Sequence, residues 1–274
     1  MKRKLIYSTG LGLLLFASSC INGNKSPENS TTADTLINVN DTLAYQIAVF
    51  KETSPYFSGD ETTLDTTFYL ARYPVFASET DSLVQEAIFV DGEHNAKQVA
   101  QSFLAGFNEY AEEQIESENR AFHAWFRSQD CEVALNVPGF LTLRNAISEY
   151  TGGAHGIEIE IWSNYDTQNK RKLSLADLFQ DTLALSQIVE VYFRKQEALS
   201  DTSSYGSNYF FEDETFTLAD NFGLIPSGLL FHYNPYEIKS YAEGPTTLII
   251  PYKALEEVMT AKGKRLLKVV SEKL

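Results

Sequence analysis

Four histidines, His94, His123, His155 and His232, are the side chains of this 274-residue chain best suited to acid–base or metal chemistry. None stands at a metal-ligand spacing from another, so no local metal site and no cofactor are expected. His155 and Glu158 are near in sequence, but strand alternation sends residue 158 to the face opposite 155. The chain lacks a Gly-x-Ser-x-Gly elbow and a Gly-x-x-x-x-Gly-Lys loop, which removes the local signatures of nucleophile-elbow hydrolases and P-loop nucleotide enzymes. With 37 Asp and Glu residues, some carboxylate pair will fall within the ~5–9 Å that glycosidases use, so such a pair says little. Cys131 sits between Asp130 and Glu132, whose charge disfavours a thiolate; it reads as a buried strand residue.

Two stretches are dense in residues that shape the backbone. Gly152-Gly153-Ala154-His155-Gly156 reads as a tight bend between strands with the imidazole bonded to nearby backbone; the alternative makes His155 a ligand contact. Asn234-Pro235-Tyr236-Glu237 reads as a turn, or else as a recognition loop, with Tyr241 close behind. The candidate binding residues are therefore Gly153, His155, Asn234, Tyr236, Glu237 and Tyr241. No catalytic residue is assigned. Tyr205, Tyr209, Phe210 and Phe211 are expected to pack under a loop rather than stack on a ligand.

These residues need a scaffold. Residues 43–50 and 66–76, rich in β-branched and aromatic side chains, predict strands. Helices are predicted over 78–89, capped by Ser78 or Thr80, and over 93–119, where Val99, Phe103, Phe107 and Tyr110 recur at helical spacing. Glu112, Glu113, Glu116 and Glu118 read as its solvated face, or else as a docking patch for a basic protein. Runs at 131–137, 140–150 and 156–165 predict an antiparallel meander, the first two split by Pro138-Gly139. A short helix from Ser174, a longer one over 183–199, strands at 228–233 and 247–251 and a terminal helix over 253–273 complete the chain. Elements in blocks without βαβ alternation indicate an α+β fold.

Residues 1–19 read as a secretory signal: Lys2-Arg3-Lys4, an apolar run from Leu5 to Ala17, then Ser18-Ser19-Cys20. The run covers roughly 20 Å as a helix, short of the ~30 Å hydrocarbon core. Cys20 after small residues resembles a lipoprotein lipobox, and the Asn/Ser-rich spacer resembles those of Bacteroidetes lipoproteins. That resemblance implies an anchor in the membrane through acyl chains on Cys20. Residues 20–40 then read as a flexible tether, and the lack of acidic residues just after Cys20 favours the periplasmic side over the cell surface. Removing the three basic residues of the signal takes the net charge from −15 to −18. Nucleic acid is a poor partner for that surface. Once Cys20 is lipidated only Cys131 remains, and no intrachain disulfide can form.

The span from Phe140 through Tyr150-Thr151-Gly152-Gly153-Ala154-His155-Gly156, with Tyr165-Asp166 and Lys172 to Phe179, resembles the paired envelope domains of PdaC-type peptidoglycan deacetylases and RsiV-type anti-sigma factors. Gly228 to Ile238, Tyr241 to Pro245 and Ile250-Pro251-Tyr252 continue the match. The resemblance implies two small α+β domains, each an antiparallel sheet packed with helices, over 41–156 (PdaC-like) and 157–274 (RsiV-like). The deacetylase catalytic domain and the anti-sigma segment are missing, so neither activity carries over. What the resemblance implies is a non-enzymatic binding or sensing role near peptidoglycan, with a peptidoglycan-type glycan or a lysozyme-like protein as partner. A glycan hydrolase or deacetylase, and a structural envelope accessory, are the alternatives.

Overall fold

The computed structural model of the protein describes residues 42–59, 64–118, 122–206 and 208–273. The signal at 1–19, Cys20 and the tether at 20–40 lie outside the described residues. Strands β1 (Tyr45–Gly59) and β2 (Leu64–Phe76) pair antiparallel, with a bulge between Thr53 and Phe57. Helices α1 (Ser78–Ile88) and α2 (Ala96–Glu116) then carry the chain back, so that β3 (Phe126–Val137) runs parallel to β2. A parallel neighbour needs such a crossover. This is the one parallel pair among the described strands of an otherwise antiparallel fold.

Strands β4 (Phe140–Tyr150), β5 (Ile157–Asp166) and β6 (Arg171–Lys172) continue the sheet as an antiparallel meander, giving six strands in sequence order. The expected division at 156/157 falls between β4 and β5, which pair from Phe140↔Asp166 to Glu149↔Ile157. Helix α1 is capped by neither Ser78 nor Thr80. Its N-cap is Ala77, without a side-chain bond. Asn95 starts the expected helix at 93–119 later than its periodicity suggests: its side chain accepts from Gln98 N at 3.0 Å and fixes the start at 96.

The second half begins with α3 (Leu175–Leu178), whose Ser174 and Asp177 form a reciprocal capping box, and α4 (Thr182–Gln196). Strands β7 (Phe222–Ile225), β8 (Gly228–Tyr233) and β9 (Thr246–Ile250) form an antiparallel three-stranded sheet. The expected terminal helix is broken into α5 (Tyr252–Leu255) and α6 (Ala261–Lys273). Between them Met259 is extended and bridges to Phe179, and Thr260 N donates to Leu178 O at 2.8 Å. This tertiary bridge overrides the helical pattern of the segment.

The six-stranded sheet has two differently clothed faces. Side chains alternate along each strand, so Tyr69, Ala71, Cys131 and Leu143 fall on the back face, buried against Val84, Ala87 and Ile88 of α1 and Val99 and Ala100 of α2. On the front face, Leu135, Val137 and Phe140 join the core of the second half, with Leu185, Val189 and Phe193 of α4 and Leu224, Phe231 and Leu248 of the small sheet. The second half thus covers one end of the front face and leaves the rest open. Tyr205, Tyr209 and Phe211 pack around Phe193 at 5.2–5.9 Å and are buried as expected, while Phe210 is exposed.

Candidate functional site

Where that cover ends, a cleft of about 500 Å³ lies between the front face of β3–β5 and residues 232–245 of the second half. Its floor follows from strand register. Arg72, Asp130, Ala146 and Glu160 stand across one another in one row, Leu70, Ser128, Ser148 and Glu158 in the next, and Glu132, Arg144 and Trp162 in a third. The opposite wall holds His232, Asn234, Pro235, Tyr241, Gly244 and Pro245.

Asparagine side chains hold the wall on the floor. The edge of β5 beyond Glu160 has no strand neighbour there, and its main-chain groups are taken by side chains instead. Glu160 N donates to Asn234 Oδ1 at 2.7 Å, and Asn234 Nδ2 donates to Glu160 O at 3.1 Å. Asn221 Nδ2 donates to the same carbonyl at 2.7 Å, and its Oδ1 accepts from Trp162 N at 2.8 Å. Asn164 does the converse for β7, donating to Phe222 O at 2.7 Å and accepting from Leu224 N at 2.9 Å. Trp162 lies flat over Gly223, where a Cβ would come within 2.2 Å of the indole.

Charge in the cleft is unevenly compensated. Arg144 Nε donates to Glu160 Oε2 at 2.6 Å and Arg144 Nη1 to Glu132 Oε1 at 3.2 Å. The hydrogen bond to Glu160 raises the guanidinium's pKa further. Glu160 Oε1 also accepts from Trp162 Nε1 at 2.7 Å. Asp130 pairs with Arg72 at 3.0 Å. Glu158 is exposed and makes no ion pair with any described residue. His232, 4% exposed, has its pKa lowered by burial, against the opposing pull of Glu160.

That histidine does not form a nucleophile–His–acid relay. A nucleophile–His–acid relay places nucleophile and acid on opposite ring nitrogens. Here Thr247 Oγ1 at 2.8 Å and Glu160 Oε1 at 3.6 Å both face Nδ1. Cys131, fully buried on the back face, has its thiol pushed up to about 12 by burial and then by Asp130 and Glu132. Among the described residues no group of three His, Cys, Asp or Glu side chains is placed to hold a metal ion.

The sequence-predicted residues divide. Asn234 and Tyr241 line the cleft. His155 Nδ1 donates to Gly156 O at 2.8 Å, the backbone bond expected of a bend. Its ring also stacks on Tyr241 at 4.0 Å and 18°, and the Tyr241 hydroxyl donates to Gly156 O at 2.9 Å. Tyr236, exposed at φ 71°, stands 5.6 Å from the Tyr241 ring. Glu237 reaches only Asn234 Nδ2, at 3.4 Å, and closes the turn with its N donating to Asn234 O at 3.1 Å. Gly153 is exposed in the bend and lines no part of the cleft. Sequence reasoning missed Arg144, Glu160 and Asn221, and weighed His232 and Glu158 without placing them in the candidate set. A usable signal existed: folding the chain back about Gly153 sets Ala146 opposite Glu160 and Arg144 opposite Trp162.

Residues 61–158 match the family model described as "Deacetylase PdaC", and residues 176–253 match "Protein of unknown function (DUF3298)". A crystal structure of a DUF3298 family member from Bacteroides fragilis NCTC 9343 is 23% identical with a TM-score of 0.63, covering 85% of this chain and 100% of that one. One of a DUF3298 family protein from Pseudomonas aeruginosa PAO1 is 18% identical with a TM-score of 0.58, covering 81% and 96%. No curated protein matches the chain. Two family models thus match successive parts of the chain, and residues of both parts line the cleft.

Proposed function

We propose that this protein is a non-enzymatic binding module of the cell envelope, held on the periplasmic side by acyl chains on Cys20, whose cleft takes a peptidoglycan-type glycan. The observation that carries the reading is Tyr241. Its ring faces the cleft braced by His155 at 4.0 Å, with its hydroxyl tied to Gly156 O at 2.9 Å. A ring fixed before the ligand arrives loses little entropy on binding. Pro235 and Pro245 beside it supply apolar surface for the C–H face of a sugar, and the volume falls in the range of small-ligand sites. The arrangement at His232 supplies no catalytic relay, so binding accounts for the site better than hydrolysis does. Among the described residues no helix is long and apolar enough to cross a membrane.

Calorimetric titration of the protein with soluble glycan fragments of peptidoglycan tests this. Saturable binding is expected, weakened at least about tenfold by Tyr241→Ala, a typical loss for an aromatic anchor. Absence of saturable binding, or equal affinity for the Tyr241→Ala protein, refutes the assignment. A basic lysozyme, titrated at low and physiological salt, is the competing partner that the acidic surface would steer. Its saturable binding at physiological salt, without glycan binding, would replace the glycan reading.

A further inference from the structure

We infer that the cleft selects a sugar bearing a free primary amine, its ammonium group received by the row formed by Glu158, Ser148 and Ser128. This rests on the glycan reading above and specifies the chemistry of its ligand. Three observations converge. First, the register sets Ser148 across from Glu158 and Ser128 across from Ser148, all three lining the cleft. An ammonium group has three donors and no acceptor. A carboxylate and two hydroxyls on three successive strands, Cβ atoms about 5 Å apart from each strand to the next, offer acceptors to it with the long Glu158 side chain reaching back over Ser148.

Second, the lining carries Asp130, Glu158 and Glu160 against the single cation Arg144. That guanidinium is shared by Glu132 and Glu160, Asp130 is served from the rim by Arg72, and Glu158 is left uncompensated. Burial disfavours a positive charge on His232. Glu158 is thus the carboxylate of the lining free to take a cation from a ligand. Third, the opposite wall carries an apolar patch made by Pro235, Pro245 and the braced Tyr241 ring beside His232 and Asn234. A pyranose laid with its C–H face on that wall would turn its amine toward the polar row on the strands.

The test is titration of the full chain with two oligosaccharides of equal length, a glucosamine oligomer and an N-acetylglucosamine oligomer, at a pH where the amine is protonated. The glucosamine oligomer should bind about tenfold more tightly, the margin of one charge-assisted hydrogen bond. That margin should narrow with added salt. Glu158→Gln should abolish the difference between the oligomers, and Ser148→Ala should reduce it; both side chains face the open cleft, so the melting temperature reports any loss of fold separately. Equal or tighter binding of the N-acetyl oligomer overturns the amine inference and leaves the glycan reading standing. If neither oligomer binds, the glycan reading itself fails. Binding of a lysine-rich peptide with the glucosamine oligomer inert would give the row to a peptide cation and overturn the sugar assignment.

Discussion

The carbonyl of Glu160 receives two side-chain donors, Asn221 Nδ2 at 2.7 Å and Asn234 Nδ2 at 3.1 Å, and this makes the two asparagines energetically dependent on each other. Asn234→Ala removes the acceptor for Glu160 N and one donor to Glu160 O. Asn221→Ala removes the acceptor for Trp162 N and the other donor. Each single change strands one half-buried N–H but leaves the carbonyl one partner, so each should cost roughly 1–3 kcal/mol. In the double variant the carbonyl loses both donors, an additional orphan that neither single variant creates. Its destabilisation should exceed the sum of the two by about 1 kcal/mol, within the range for groups sharing a partner. Urea denaturation followed by tryptophan fluorescence reads this from midpoints at unchanged slope. Additivity within ~0.3 kcal/mol, or single costs below ~0.5 kcal/mol, would show that water replaces these side chains without penalty and that they do not fasten the wall to the floor.

Two further changes probe the same junction. Gly223→Ala puts a Cβ within 2.2 Å of the Trp162 ring, so the indole must tilt and loosen its 2.7 Å bond to Glu160; a cost of about 1–3 kcal/mol is expected, with a shifted Trp162 emission maximum, and a stability equal to the parent's would refute the packing. Asp166 is 4% exposed. Burial alone would raise its carboxyl, but the hydrogen bonds from Lys262 (2.6 Å) and Asn169 outweigh it and hold the pKa at about 2. A depressed carboxylate stabilises the fold above its unfolded pKa near ~3.9 and loses that contribution as pH falls toward 2; the full difference is roughly 2.5 kcal/mol. Lys262→Met should flatten the decline in stability between about pH 4 and pH 2, measured by urea midpoints, and an unchanged slope would exclude Asp166 as its source.

The elements that sequence reasoning located best are those whose own residues decide them. Phe140–Tyr150, Gly228–Tyr233 and the antiparallel order of β3, β4 and β5 follow from alternation and from turn residues lying between them. What was lost depends on partners far away in the chain. Strand β7 is only four residues long and exists because Asn164 satisfies its outer edge, while the terminal helix breaks at Met259 because Phe179 bridges to it. The candidate site divides in the same way. Asn234 reads as a turn former and does close the turn, but its side chain spends its bonds on Glu160, 74 residues earlier, and no local pattern records that. His155 and Tyr241 were visible separately, and their stacking was not, since it spans the bend of one segment and the loop of the other. Arg144 and Glu158 look like ordinary solvent-facing charges of a half-buried strand. They become distinctive only once the register of β4 and β5 shows which of them is paired and which is not. A cleft assembled from two segments is encoded in asparagines that fasten one main chain to the other, and an asparagine in a single sequence points first to a turn.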